Sequence, residues 1–320
     1  MGKIINDIKC LIIQKAVYLK LYKGHKPNEW EPWKESKKTA AENGMIFHND
    51  IRYGNNYPNS FFDIWYPDES GEKRPVIVYF HGGGFIFGDK TTGDPLSADN
   101  SGCKLMEMIK RGYILVNANY ALAPEYRFPV QIKQVDELFR FLMDNQQNLG
   151  VDMNRVCLGG GSAGADMAMI YGTCVCNPLY AEKYNFEPVM TKDNLKVLAI
   201  DEAALDANSF NKNVFAMLGC ATGSKNNDPN GDISILDAKK FIKDDFIPSW
   251  VNASNEGGDN GCFLTEARGI KQTLDKIGIP CEMVHFPGEN LPHGYMDGLA
   301  TDPFAREAFE SMMSFIEKYI

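Results

Sequence analysis

Residues 155–169 read RVCLGGGSAGADMAM, three consecutive glycines followed by a serine. Two devices with different chemistry fit this spacing. Gly159, Gly161 and Gly164 match the dinucleotide fingerprint G-x-G-x-x-G, whose glycines bring a pyrophosphate close to a helix N-terminus. Gly160, Ser162 and Gly164 match the elbow G-x-S-x-G, a sharp strand-to-helix turn that exposes a serine hydroxyl. The first predicts a cofactor-binding protein. The second predicts a hydrolase with Ser162 as its nucleophile.

The cofactor reading requires an acidic residue about 20 positions further on, at the end of the next strand. The next strand pattern, residues 195–200, ends on Asp201, which lies far beyond that spacing. The fingerprint also belongs to the first strand of its unit, and this one follows several. The elbow reading gains from a second motif, VIVYFHGGGFIFG, a strand pattern running into His81, Gly82, Gly83 and Gly84. Acyl transfer develops negative charge on a carbonyl oxygen and needs preorganised N–H donors. Glycines let backbone amides approach that oxygen, and such a loop supplies them together with the amide after the nucleophile. Gly83, Gly84 and Ala163 are therefore the candidate oxyanion hole.

The serine needs a base. His25 and His48 lie in polar sequence, His81 belongs to the glycine loop, and His285 sits within the apolar run CEMVHF. His293, in GENLPHGYMDG, follows the last strand pattern, where the base falls in the chain order Ser, acid, His.

The 320 residues are 44% hydrophobic and 23% charged, enough apolar content for a packed core. Lys plus Arg number 33 against 42 Asp plus Glu, a net charge of −9 that argues against nucleic acid or an anionic membrane as partner. No run reaches the ~18 apolar residues of a membrane span. At the N-terminus, Ile4, Ile5, Ile8, Leu11, Ile12, Ala16 and Leu19 follow helical spacing, interrupted by Asn6, Asp7, Lys9, Gln14 and Lys15. This predicts an amphipathic helix packed onto the domain, a membrane-surface role being the weaker alternative. None of the eight cysteines forms a C-x-x-C pair, which favours buried reduced thiols in a cytoplasmic protein over disulfides or zinc.

Strands are predicted at 61–66, 76–80, 113–118, 156–158, 195–200, 248–253 and 281–286, with amphipathic helices between them, as at Val135, Leu138, Phe139 and Leu142. The alternation predicts an α/β fold, a mostly parallel central sheet with helices on both faces, in a single domain spanning 1–320. Residues 1–45 and about 205–245 fit the alternation poorly and are expected to form a helical cap over the site.

The chain resembles the hormone-sensitive-lipase-like family of α/β-hydrolase esterases. The residues that carry the resemblance are VIVYFHGGGFIFG, NYALAPEYRFP, GVDMNRVCLGGGSAG and LPHGY, and it covers most of the sequence after about Asp50. It implies hydrolysis of short-acyl carboxylic esters by a Ser–His–acid triad, with a small-molecule ester as partner and neither cofactor nor metal. A homodimer stays open, as does a non-catalytic binding protein with a defective triad. Two positions depart from the family pattern. Gly161 stands where an Asp usually precedes the nucleophile. The acid, expected after the strand at 248–253, falls on Glu256 by counting from Ala253, or on Asp259 with a short insertion; residue type favours Asp259.

Overall fold

The computed structural model describes residues 2–22, 26–32, 35–91, 93–94, 97, 102–206, 209–210, 212–223, 232–254 and 261–320. Nine strands form one sheet: β1 (Lys38–Ala40), β2 (Ile46–Arg52), β3 (Phe61–Tyr66), β4 (Arg74–Phe80), β5 (Ile114–Ala118), β6 (Val151–Gly161), β7 (Leu195–Asp201), β8 (Ser249–Asn252) and β9 (Cys281–Val284). Their order is β1-β2-β3-β5-β4-β6-β7-β8-β9. The strands from β5 to β9 across the sheet are parallel, and β1, β2 and β3 add an antiparallel edge. All seven predicted strands are present, with ends that differ by a few residues. β6 is much longer than 156–158. β1 and β2 are additional, and β1 lies within the 1–45 segment expected in the cap.

The helices are α1 (Gly2–Leu21), α2 (Gly102–Lys110), α3 (Val130–Asp144), α4 (Gln146–Leu149), α5 (Ala163–Cys176), α6 (Pro178–Lys183), α7 (Lys212–Thr222), α8 (Cys262–Lys276) and α9 (Pro303–Tyr319). The period-two geometry of a strand divides each buried run between two cores. In β4, Val76, Val78 and Phe80 join the core beneath α3, α5 and α8, while Ile77 and Tyr79 join the core beneath α2 and α9. Because both faces are covered, the central strands read as continuous apolar runs rather than alternating ones.

Chain order reverses between β4 and β6. β5 returns on one side of β4, and β6, β7, β8 and β9 build outward on the other. The crevice beyond the carboxyl ends of strands at such a reversal is where ligands bind in open α/β sheets. The glycine loop follows β4 and Ser162 follows β6, so both candidate motifs meet there.

The N-terminal helix forms, but its apolar stripe faces the other way from the expectation. Cys10, Gln14 and Tyr18 are buried against the domain. Gln14 Nε2 donates to the Ala123 and Ile86 carbonyls at 3.0 and 2.5 Å, and Asp7 pairs with Arg127 at 2.7 Å. Ile5, Ile8, Leu11, Ile12 and Leu19 are exposed. Polar anchoring on loops and on α7 overrides the amphipathic pattern here. Among the described residues, no helix is long and apolar enough to cross a membrane.

Candidate active site

Ser162 links β6 to α5 at φ 52° and ψ −118°. Positive φ in a residue with a Cβ is uncommon and costs energy unless the surroundings enforce it. Here the Ser162 amide donates to the Asp201 carbonyl at 2.8 Å, and its own carbonyl accepts from the Asp166 amide at 3.0 Å. The flanking glycines let the chain double back. A methyl group on Gly164 would lie 2.0 Å from the Phe80 carbonyl oxygen, and one on Gly160 would lie 2.4 Å from the Gly164 carbonyl carbon. The elbow spacing therefore has a steric cause.

The glycine loop is clamped from behind. The Tyr120 hydroxyl donates to the carbonyls of His81 and Gly82 at 3.0 and 3.1 Å, and its ring stacks on His81 at 4.3 Å. His81 Nδ1 lies 2.7 Å from the Gly82 carbonyl oxygen, which assigns that nitrogen the proton. Burial lowers the His81 pKa to about 4, so the ring stays neutral. The loop then turns at Gly83, whose carbonyl accepts from the amides of Ile86 and Phe87 at 3.0 and 3.2 Å. Gly84 and Ala163 border one cavity of about 290 Å³ together with Ser162 and His293. Gly83 is packed against the Phe87 carbonyl beside them.

His293 lies in the loop after β9, with its ring stacked on Phe263 at 4.4 Å and 5° between planes. Its Nδ1 is 3.2 Å from Glu202 Oε2. Glu202 is the first residue after β7 and has φ 60°. Its buried carboxylate also accepts the Ser254 amide at 3.0 Å and the Gly294 amide at 2.6 Å. Burial raises the Glu202 pKa, but the facing imidazole and these donors outweigh it, so the net direction is down. Burial lowers the His293 pKa and the Glu202 carboxylate raises it; the second wins, to about 9. The pair is a carboxylate holding an imidazole.

Glu256 and Asp259, the two carboxylates expected to orient His293, lie outside the described residues. Glu202 was not among the carboxylates weighed from the sequence. It follows Asp201 at the end of a buried strand, one strand before the loop that carries Glu256 and Asp259. His285 lies beyond the end of β9, half-buried, rather than within the strand. His48 lies on β2, and His25 is outside the described residues.

Two buried groups surround this constellation. Lys104 Nζ lies 3.1 Å from Asp201 and 2.8 Å from Asp297. Asp166, one turn into α5, borders the cavity and accepts the Ala204 amide at 2.5 Å. Burial pushes its carboxyl well above the usual range. Among the described residues, no group of three His, Cys, Asp or Glu side chains is arranged to hold a metal ion.

A family model, described as BD-FAE, matches residues 62–248, more than half of the sequence. The chain belongs to the BD-FAE family. The match runs from the second residue of β3 to the residue before β8, and so includes the glycine loop, the elbow and Glu202. This BD-FAE chain is similar to Esterase LipI of Mycobacterium tuberculosis, 33% identical over 104 residues, which are 32% of the chain and 30% of that protein. It is also similar to arylacetamide deacetylase of Bos taurus, 33% identical over 108 residues, 33% of the chain and 26% of that protein. The chain thus spans about a third or less of these curated relatives. Their names bear out the resemblance to hormone-sensitive-lipase-like esterases. In three dimensions it is similar to esterase B from Lactobacillus rhamnosis inhibited by a tributyrin phosphonate. The TM-score is 0.74 at 17% identity, covering 98% of this chain and 96% of that one. The fold is the α/β-hydrolase fold.

Proposed function

We propose that the protein is a serine hydrolase of carboxylic esters with short acyl groups. The observation that carries this reading is the Glu202–His293 pair at the rim of the cavity that Ser162 borders. Ser162 attacks the ester carbonyl while neutral His293 takes its proton. Glu202 fixes the imidazole tautomer and stabilises the imidazolium that forms. The tetrahedral oxyanion is held by the amides of Gly83, Gly84 and Ala163; losing one such donor costs about 2.7–4 kcal/mol of transition-state stabilisation. His293 then gives its proton to the departing alcohol. Water, activated by the same imidazole, releases the acid from the acyl-Ser162 intermediate.

The modest cavity of about 290 Å³ supports a short acyl chain. α1 and α7 serve as the cap in this reading: Cys10 of α1 packs on α7, and Met217 of α7 closes over Gly84. Among the described residues the cysteines are thiols outside any disulfide, which fits a reducing cytoplasm.

The test is covalent labelling by a fluorophosphonate, followed by peptide mass spectrometry and by turnover of p-nitrophenyl esters from acetate upward. The expected result is modification of the peptide bearing Ser162 and a rate that falls as the acyl chain lengthens. Folded protein that is neither labelled nor active would instead be a binding protein on a hydrolase fold.

A further inference from the structure

Seven of the eight exposed large apolar side chains among the described residues lie on α1: Ile5, Ile8, Leu11, Ile12, Ile13, Leu19 and Leu21. Their exposure runs from 40% at Ile13 to 73% at Leu19. Scattered surface leucines need no explanation, but a contiguous patch marks an interaction surface. The helix is already anchored through its other face, by Asp7, Cys10, Gln14 and Tyr18, so its fold does not require the stripe.

Charge on the same face selects the occupant. At 100° per residue, Ile5, Ile8, Ile12 and Leu19 fall within a strip about 60° wide. Lys15 borders one edge, and Lys9 and Lys20 border the other, all three exposed. The only acid on the helix, Asp7, is held by Arg127 on the packed side. The exposed face of α1 is therefore apolar and cationic, although the chain as a whole carries −9. A second copy docking through the same stripe would bring two sets of lysines together with no acid between them. A lipid surface accommodates both features, because apolar side chains enter the acyl boundary while lysines reach up to the phosphates.

We infer that α1 docks this protein onto anionic lipid surfaces, with the apolar stripe inserted and Lys9, Lys15 and Lys20 on the headgroups. The docked face lies at the end of the sheet that carries the cavity. α1 binds the carbonyls of Ile86 and Ala123 and packs on α7, whose Met217 and Leu218 line the cavity. Docking therefore brings the cavity close to the layer where ester-bearing amphiphiles partition. The inference stands on the surface of α1 and not on the proposed chemistry.

Co-sedimentation of the full chain with vesicles tests it. The vesicles are phosphatidylcholine alone or mixed with phosphatidylglycerol. The expected result is binding to the mixed vesicles and weaker binding to the neutral ones. The double variant Ile12→Asp/Leu19→Asp should weaken binding at least about tenfold. The triple variant Lys9→Glu/Lys15→Glu/Lys20→Glu should lose at least about tenfold on mixed vesicles and little on neutral ones. All substituted positions are exposed, so thermal unfolding and hydrolysis of soluble p-nitrophenyl acetate should match the parent. No binding to either vesicle, or charge-reversed protein binding as well as the parent, would overturn the inference. So would a dimer in sedimentation velocity that Ile12→Asp/Leu19→Asp converts to monomer, since the stripe would then be a self-interface. Vesicle binding that both variants weaken, in a protein with no turnover of p-nitrophenyl acetate, would support the docking surface and sink the esterase reading alone.

Discussion

Glu202 Oε2 lies 3.2 Å from His293 Nδ1 and accepts the amide of the next residue, Gly294, at 2.6 Å. One carboxylate thus grips both the imidazole and the backbone that carries it. The Ser254 amide holds its second oxygen, so the carboxylate has little freedom to turn away.

Glu202→Gln should therefore lose most activity. In the Ser–His–Asp template the amide replacement lowers kcat by about 10⁴, because the imidazole is trapped in the wrong tautomer. Glu256→Gln and Asp259→Asn should each leave kcat within a few fold. Steady-state kinetics on p-nitrophenyl acetate decide the point. A large loss at Asp259 or Glu256 with a small one at Glu202 would move the acid to that loop.

The pH profile follows from the same pair. His293 must be neutral to accept the Ser162 proton, and Glu202 raises its pKa to about 9. The rate should climb with pH through a limb centred above 6.5, the ordinary imidazole value, and Glu202→Gln should shift that limb downward. The raised imidazole contributes stability that is complete below about 6.5 and is lost as pH rises through about 9. The lowered Glu202 carboxyl contributes stability that is present above its ordinary value, about 4.3, and is lost as pH falls through its folded one. Melting curves of parent and Glu202→Gln should differ most between these limits and converge beyond them.

Lys104 is fully buried between Asp201 and Asp297. Burial alone would lower its pKa, but the two carboxylates raise it well above the ordinary value, so it stays charged. Lys104→Met leaves two uncompensated carboxyl groups in the core. Breaking a buried pair in this way costs about 3–5 kcal/mol, which urea unfolding should register. A variant as stable as the parent would refute this account.

Gly161 stands where an Asp usually precedes the nucleophile, and the structure supplies a physical reason for its absence. A Cβ there would meet the Tyr79 hydroxyl at 3.0 Å and Asp201 Oδ2 at 3.9 Å. Gly161→Asp would add a third carboxylate to a site where Lys104 already serves two. The expected cost is about 1–3 kcal/mol, with Gly161→Ala much milder. Equal stability of Gly161→Asp and the parent in the same unfolding assay would refute this account.

The elbow, the glycine loop and the histidine were legible in the sequence because each depends on a few contiguous residues. The turn at Ser162 leaves no room for a Cβ at Gly160 or Gly164, and that steric demand is written into the spacing itself. The alternation of apolar runs likewise carried the parallel sheet, since strands covered on both faces must be apolar throughout. Two other features were decided only in three dimensions. That Glu202 lies 3.2 Å from His293 depends on how the chain after β7 and the chain after β9 meet at the sheet edge, and a Glu closing one strand reads the same in the sequence as a Glu following another. Which face of α1 turns inward was decided by partners distant in the chain, the carbonyls of Ile86 and Ala123 and the guanidinium of Arg127. Hydrophobic periodicity marks an apolar stripe on a helix, but it does not record whether that stripe meets the core or the solvent.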